Sequence, residues 1–165
     1  ARFSAWGHVW EFADEMGYQQ TRTMSAASSG GLIGVGAGDG WLKTIPASET
    51  DLVFGLITEE WGLIIAVLAI FAIVTLSLFA IRSIWGGRST FYTIAACSAM
   101  SLFIFQTMLN VFGSVDLFPL TGVTFPFLSN GGTSMVASWG LLAFLKASDT
   151  RVSASIAVSN EEAIS

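Results

Sequence analysis

The sequence predicts an all-α polytopic membrane protein, with a large outer loop followed by three transmembrane helices. Three observations predict it. The 165 residues are 53% hydrophobic and 12% charged, with a mean hydropathy of +0.66, whereas soluble domains carry about a quarter charged residues. After Glu60 come three stretches free of Asp, Glu, Lys and Arg, bounded by Arg82, Arg88, Asp116 and Lys146. The positive charges among those boundaries fall where two connections on one side of a bilayer would lie.

Charge also narrows the function classes. The formal net charge is -5 and 7 residues are Lys or Arg, so no basic surface is available to track phosphates and nucleic acid is excluded as a partner. Cys97, the one cysteine, lies in an apolar stretch and can form neither an intrachain disulfide nor a Cys-rich metal site. The opening ARFSAWG carries neither an initiator Met nor a signal-type segment, and the chain is expected to be a piece of a longer protein.

Residues 1–50 are expected to form an extracytoplasmic loop. Within it, RFSAWGHVWEFADEM sets Phe3, Trp6 and Trp10 on one helical face with Arg2, Glu11, Asp14 and Glu15 elsewhere. That pattern predicts an interfacial helix, or a helix end packed on another part of the protein. His8 has no second ligand beside it. The Gly-rich stretch SSGGLIGVGAGDGWLK lacks Gly-Lys-Ser/Thr and has Asp39 where a dinucleotide motif needs its third Gly. It reads as tight turns and close backbone approach, not as a phosphate loop.

Residues 51–85 predict a transmembrane helix with an outer extension. Ser48-Glu49-Thr50-Asp51 has the form of a capping box behind Pro46, which sets the helix start near Thr50. A continuous helix from there to Trp85 would be roughly 50 Å long, well beyond a hydrocarbon core of about 30 Å. Its first turns should therefore project outward or line a cavity. A carboxylate at the bilayer centre costs about 2.5 to 3.5 kcal/mol, which puts Glu59 and Glu60 at the outer edge. Asp51 then lies about 13 Å further out and about 80° around the helix from Glu59. From spacing alone Asp51 is a cap, a cation ligand or a general base.

Residues 91–113 predict a second span. Residues 114–131, broken by Pro119, Gly122, Pro126, Gly131 and Gly132, predict a second outer loop; residues 132–147 a short third span; and 148–165 a cytoplasmic tail of disordered composition. The positive-inside bias places Arg82, Arg88, Lys146 and Arg151 in the cytoplasm, and residues 1–60 and 114–131 outside. Trp61 and Trp85 bracket the first span as interfacial indoles.

Two ordered blocks of residues resemble a known family. Gly30-Gly31-Leu32, Gly34 and Gly36, then Pro46, Thr50-Asp51, Glu59-Glu60 and Gly62 form the first. Asn110, the run from Pro119 to Ser129, and Gly131-Gly132-Thr133-Ser134 form the second. Together they resemble the SEDS family of FtsW, RodA and SpoVE over about Tyr18 to Ala147. The resemblance implies helices eight to ten of a ten-helix SEDS fold in the bacterial cytoplasmic membrane. It also implies a peptidoglycan glycosyltransferase that polymerises lipid II during division or elongation, working with a class B penicillin-binding transpeptidase and divisome or elongasome proteins.

The family's essential aspartate falls on Asp51, which the resemblance makes the catalytic base. Lys43, Thr50, Glu59, Ser129, Gly131 and Gly132 are the substrate-binding candidates, with Asp51 and Glu59 as candidate ligands for a divalent cation, Mg or Mn. Three positions depart from the family pattern: Glu49 stands where His is common, Leu52 where Phe is usual, and Asn130 where Tyr is common. A lipid II flippase and a non-enzymatic membrane scaffold are the alternative functions, and these 165 residues alone are expected to be inactive.

Overall fold

A computed structural model describes residues 6–15, 17–84 and 90–147, and every regular element among them is helical. The elements are α1 (Tyr18–Gly30), a 3-10 turn at Leu42–Thr44, α2 (Val53–Ile84), α3 (Thr90–Ser114) and α4 (132–147). Phe3, Trp85, Arg88, Arg151 and the tail 148–165 lie outside the described residues.

The polar stretch YQQTRTMSAASSG builds α1, a helix that the apolar patterning does not announce. Its hydroxyls turn back on their own helix: Thr21 donates to the Gly17 carbonyl (3.0 Å), Thr23 to Gln19 (2.7 Å) and Ser29 to Ala26 (2.7 Å). With their polar atoms satisfied internally, these small residues form a surface that a neighbouring backbone can approach closely. Thr23 and Gly30 on its buried side pack against α2, while the buried Gln20 amide donates to the Gly113 carbonyl at the end of α3 (2.7 Å). A Cβ on Gly55 would stand 2.2 Å from Thr23 Cγ2, so this contact needs a glycine.

The helix α2 is interrupted at Gly62 (φ 87°, ψ 165°), which separates Val53 to Trp61, the outer half in the expected orientation, from a part starting at Leu63, the inner half in that orientation. Left alone, such a break would strand carbonyls on one side and amides on the other. The Gly-rich loop after α1 takes both sets. Val35 and Gly36 N–H donate to the Glu59 and Glu60 carbonyls (2.9 and 3.1 Å), while Leu63 and Ile64 N–H donate to the Gly31 and Leu32 carbonyls (3.0 and 3.4 Å). Only glycine adopts the Gly62 conformation without strain, and a Cβ there would lie 2.3 Å from the Leu32 carbonyl oxygen. The glycines read as close backbone approach thus act as a splint across the break.

This changes two expectations. Instead of one helix of roughly 50 Å, the inner half from Leu63 to Ile84 runs about 33 Å, close to the thickness of a hydrocarbon core. The helix also starts at Val53 and not near Thr50, because the capping box does not form. Ser48 Oγ reaches back to the Lys43 carbonyl (3.4 Å). The Ala47 carbonyl instead collects the amides of Thr50, Asp51 and Leu52 (3.2, 2.9 and 3.3 Å), with Ala47 itself left-handed at φ 65°.

The inner half of α2, α3 and α4 share one apolar core that includes Ala66, Ile73, Ala96, Met100, Phe103, Phe125 and Leu145. Phe127 stacks against Phe103 (5.2 Å) and Trp139 (5.5 Å), which fixes the α3–α4 loop to both helices. Both α2 and α3 are long and apolar enough to cross a membrane. Their remaining apolar side chains point outward: Ile64, Phe71, Leu78 and Phe79 on α2 and Phe105 on α3 are all more than half exposed. A soluble core helix buries such residues; here lipid or further protein has to solvate them.

The N-terminal aromatic stretch differs from the expected interfacial helix. Residues 6–15 form successive turns, broken at Gly7 (φ 77°). Val9 is buried, Trp6 Nε1 donates to the Leu117 carbonyl (3.1 Å), and His8 and Trp10 are exposed. The segment is therefore held by protein contacts near the end of α3.

Candidate functional site

Among the buried polar residues of apolar α3, Thr107, Asn110 and Ser114, it is Asn110, 2% exposed, that reaches the strip before α2 and the α3–α4 loop. Its Nδ2 donates to the Asp51 carbonyl (2.9 Å) and to the Val123 carbonyl (2.8 Å). Two acceptors on one side require the NH₂ group there, which fixes the orientation of the amide. Oδ1 is left buried with no partner among the described residues.

Ser129, 1% exposed, makes the next tie: its hydroxyl donates to the Thr50 carbonyl (2.6 Å) and accepts the Phe125 N–H (2.7 Å). Asn130 makes the third, its N–H donating to the Glu49 carbonyl (2.8 Å) and its Nδ2 to Glu49 Oε2 (2.9 Å). Three consecutive carbonyls, those of Glu49, Thr50 and Asp51, are each held by a donor from α3 or the α3–α4 loop. The Asp51 N–H is taken by Ala47, so the backbone of this strip is held on both sides. The half-buried Asp51 carboxylate alone has no partner among the described residues.

Glu59 sits in a different environment. It is fully buried, and its Oε1 and Oε2 accept the Trp41 and Leu42 N–H groups (2.9 and 3.0 Å) at the start of the 3-10 turn. These charge-assisted bonds tie that turn to α2. Lys43, on the same turn, is exposed and its Nζ donates to the Gly38 carbonyl. No group of three His, Cys, Asp or Glu side chains converges on a metal-sized site among the described residues. With both its oxygens turned to backbone amides, Glu59 does not fit a cation shared with Asp51.

The geometry therefore offers one unengaged carboxylate on a held strip at the end of the helices where the α3–α4 loop lies. The FtsW/RodA/SpoVE family model, described as cell cycle protein, matches residues 1–153. The chain belongs to this family. Among FtsW/RodA/SpoVE relatives, the chain is 34% identical over 146 residues to a protein of Mycobacterium tuberculosis named peptidoglycan glycosyltransferase RodA, covering 87% of this chain and 31% of that protein. It is 35% identical over 163 residues to a probable peptidoglycan glycosyltransferase FtsW of Bacillus subtilis, covering 92% of this chain and 40% of that protein. It is also 32% identical over 136 residues to stage V sporulation protein E of the same organism, covering 81% of this chain and 37% of that protein. The chain thus spans about a third of the length of these relatives. Membership in a family of polytopic membrane proteins agrees with the all-helical architecture and its two apolar spans.

The residues singled out in the sequence separate into three places. Asp51, Thr50 and Ser129 meet in the pinned strip. Lys43 lies on the 3-10 turn, and Glu59 on α2 is bonded to the start of that turn. Gly131 and Gly132 lie at the start of α4, where the Gly131 carbonyl accepts Met135 N–H (2.8 Å) and Ser134 Oγ (2.9 Å). Glu49 and Asn130, two of the three departures from the family pattern, are bonded to each other. Asn110 entered the sequence comparison only as one motif letter. Its signal as a site residue is that an amide inside an apolar span needs a specific partner, a signal that Gln106 four residues earlier shares.

Proposed function

We propose that this chain is the base-bearing portion of a peptidoglycan glycosyltransferase that polymerises lipid II, with Asp51 as the general base. The names of the family relatives support the reaction class. The observation that carries the residue assignment is the contrast between the two acids: Glu59 is consumed by backbone amides, while the Asp51 carboxylate is unengaged on a held backbone.

The chemistry suits a carboxylate so held. The acceptor sugar hydroxyl attacks the anomeric carbon of the donor; the new C–O bond forms as the bond to the pyrophosphate oxygen breaks, and Asp51 takes the hydroxyl proton. Such positioned proton transfer contributes about 10²- to 10⁴-fold in rate. Lys43, exposed on the turn behind the strip, is the candidate countercharge for the departing pyrophosphate. A Mg or Mn ion remains a proposed cofactor of the whole enzyme to which these residues assign no step, since Asp51 and Glu59 do not fit as joint ligands.

In this reading the protein sits in the bacterial cytoplasmic membrane with residues 1–60 and 114–131 outside and the C-terminus in the cytoplasm. Its partners are a class B penicillin-binding transpeptidase and the divisome or elongasome. The broken α2 is the feature that a lipid-transport reading would use, because half-helix ends can hold substrate in transporters. Here four hydrogen bonds with the Gly-rich loop, two donated by it and two accepted, already occupy those ends. The test is to reconstitute the full-length protein containing this chain with its transpeptidase, supply lipid II, and compare wild type with Asp51→Asn. Loss of glycan polymer with expression and partner binding intact supports the base. Full polymerisation by the variant removes it, and lipid II movement without polymer points to transport.

A further inference from the structure

The contact between Glu49 and Asn130 joins residues 81 positions apart at two points, backbone to backbone (2.8 Å) and side chain to side chain (2.9 Å). Both residues are exposed, so neither serves the apolar core. Asn130 also sits one residue before Gly131, where the chain turns into α4, and Glu49 sits two before Asp51. Ala47, just before the strip (φ 65°), and Asp116 and Phe127 in the loop (φ 61° and 63°) are left-handed non-glycine residues. Residues held in that region persist where surrounding contacts over-determine them. The buried ties of Asn110 and Ser129 set the depth of the strip. The Glu49–Asn130 pair is the one tie formed by a side chain on each partner, so it can set lateral register independently of burial.

We propose that Glu49 and Asn130 form a surface latch that positions Asp51, and that both are positioning residues for the glycosyl transfer. This rests on the reading of Asp51 as the base. The latch acts by fixing where the Asp51 carboxylate stands relative to the α3–α4 loop.

The sign of one substitution separates positioning from plain helix stability. Asn130→Asp places a negative charge just before the N-terminus of α4, which the helix dipole alone would favour. The latch predicts the opposite, because two carboxylates would then face each other across the 2.9 Å contact. Adding Glu49→Gln restores an amide–carboxylate bond with donor and acceptor exchanged.

The experiment measures kcat and KM for lipid II polymerisation by the full-length protein with its transpeptidase, in wild type, Asn130→Asp, Glu49→Gln and the double variant. Hydrogen exchange of residues 47–52 is read on the same samples. The expected result is a fall in kcat of about tenfold or more for Asn130→Asp with KM little changed, in keeping with the rate sensitivity to small misplacements. Exchange in 47–52 should rise in that variant, and both readouts should recover in the double variant. A kcat for Asn130→Asp within about twofold of wild type, or a double variant no better than the single, overturns the latch; both margins are small beside a tenfold, 1.4 kcal/mol change. If Asp51→Asn is inactive while the swap cycle is flat, the base stands and the latch falls. If Asp51→Asn polymerises while exchange follows the swap cycle, the latch holds the strip but its role in positioning a base falls with that base.

Discussion

At the residue scale, Asn110 holds two chain segments with one amide. Replacing it by Leu keeps the volume but leaves the Asp51 and Val123 carbonyls without their donor. Each unsatisfied buried group costs about 1 to 3 kcal/mol, so Asn110→Leu should destabilise by about 2 to 4 kcal/mol in equilibrium unfolding of the full-length protein in mild detergent. A loss below half a kcal/mol would show that water replaces the amide freely. Glu59 invites a similar test. Glu59→Gln turns one oxygen into an NH₂ facing either the Trp41 or the Leu42 N–H, and should destabilise by about 1 to 3 kcal/mol. An unchanged unfolding midpoint would contradict the structural role given to this carboxylate.

At the scale of elements, α2 and the Gly-rich loop form one unit. Gly62→Ala meets both a disallowed conformation and the Leu32 carbonyl at 2.3 Å. Its expected outcome is loss of the folded outer half, read as new protease cleavage between residues 30 and 62; a protease pattern like wild type would show that the break can close into a continuous helix. The α1–α2 contact allows a compensating pair. Gly55→Ala forces Thr23 Cγ2 away and should cost about 1 to 3 kcal/mol, as overpacking does. Thr23→Ser, which removes that methyl, should recover most of the loss when combined with it.

Legibility in the sequence divides along the same lines. The two apolar spans were readable because uncharged runs of that length have few other uses. The glycines were readable as close approach, but what approached was not, since the partner carbonyls of Glu59 and Glu60 lie more than twenty residues away. The polar helix α1 carried no apolar period and was not foreseen. Ser48 to Asp51 looked like a capping box, yet capping depends on local geometry that Ala47 sets differently. Asp51 was singled out by resemblance and Glu59 by spacing, and only the hydrogen bonds separate their roles.

At the scale of the whole molecule, the outward apolar faces of α2 and α3 need an apolar surrounding. Phe71, 65% exposed in the middle of the inner half of α2, is the sharpest probe of this. Phe71→Arg should raise the cost of membrane insertion by about 2.5 to 3.5 kcal/mol or more, read as a drop in the inserted fraction in a translocon assay. Insertion equal to wild type would mean that this face meets water or a polar partner.

The most direct test of the division between the two acids is glycan yield per folded molecule, with Asp51→Asn and Glu59→Gln measured side by side in the full-length protein on lipid II. Asp51→Asn is expected to lose about 10²-fold or more while remaining folded. Glu59→Gln should lower the folded fraction and leave turnover per folded molecule within a few-fold of wild type, a difference well under the 1.4 kcal/mol that a factor of ten represents. Equal losses per folded molecule for both variants, or polymer from Asp51→Asn at the wild-type rate, would contradict Asp51 as the base and Glu59 as a structural tie.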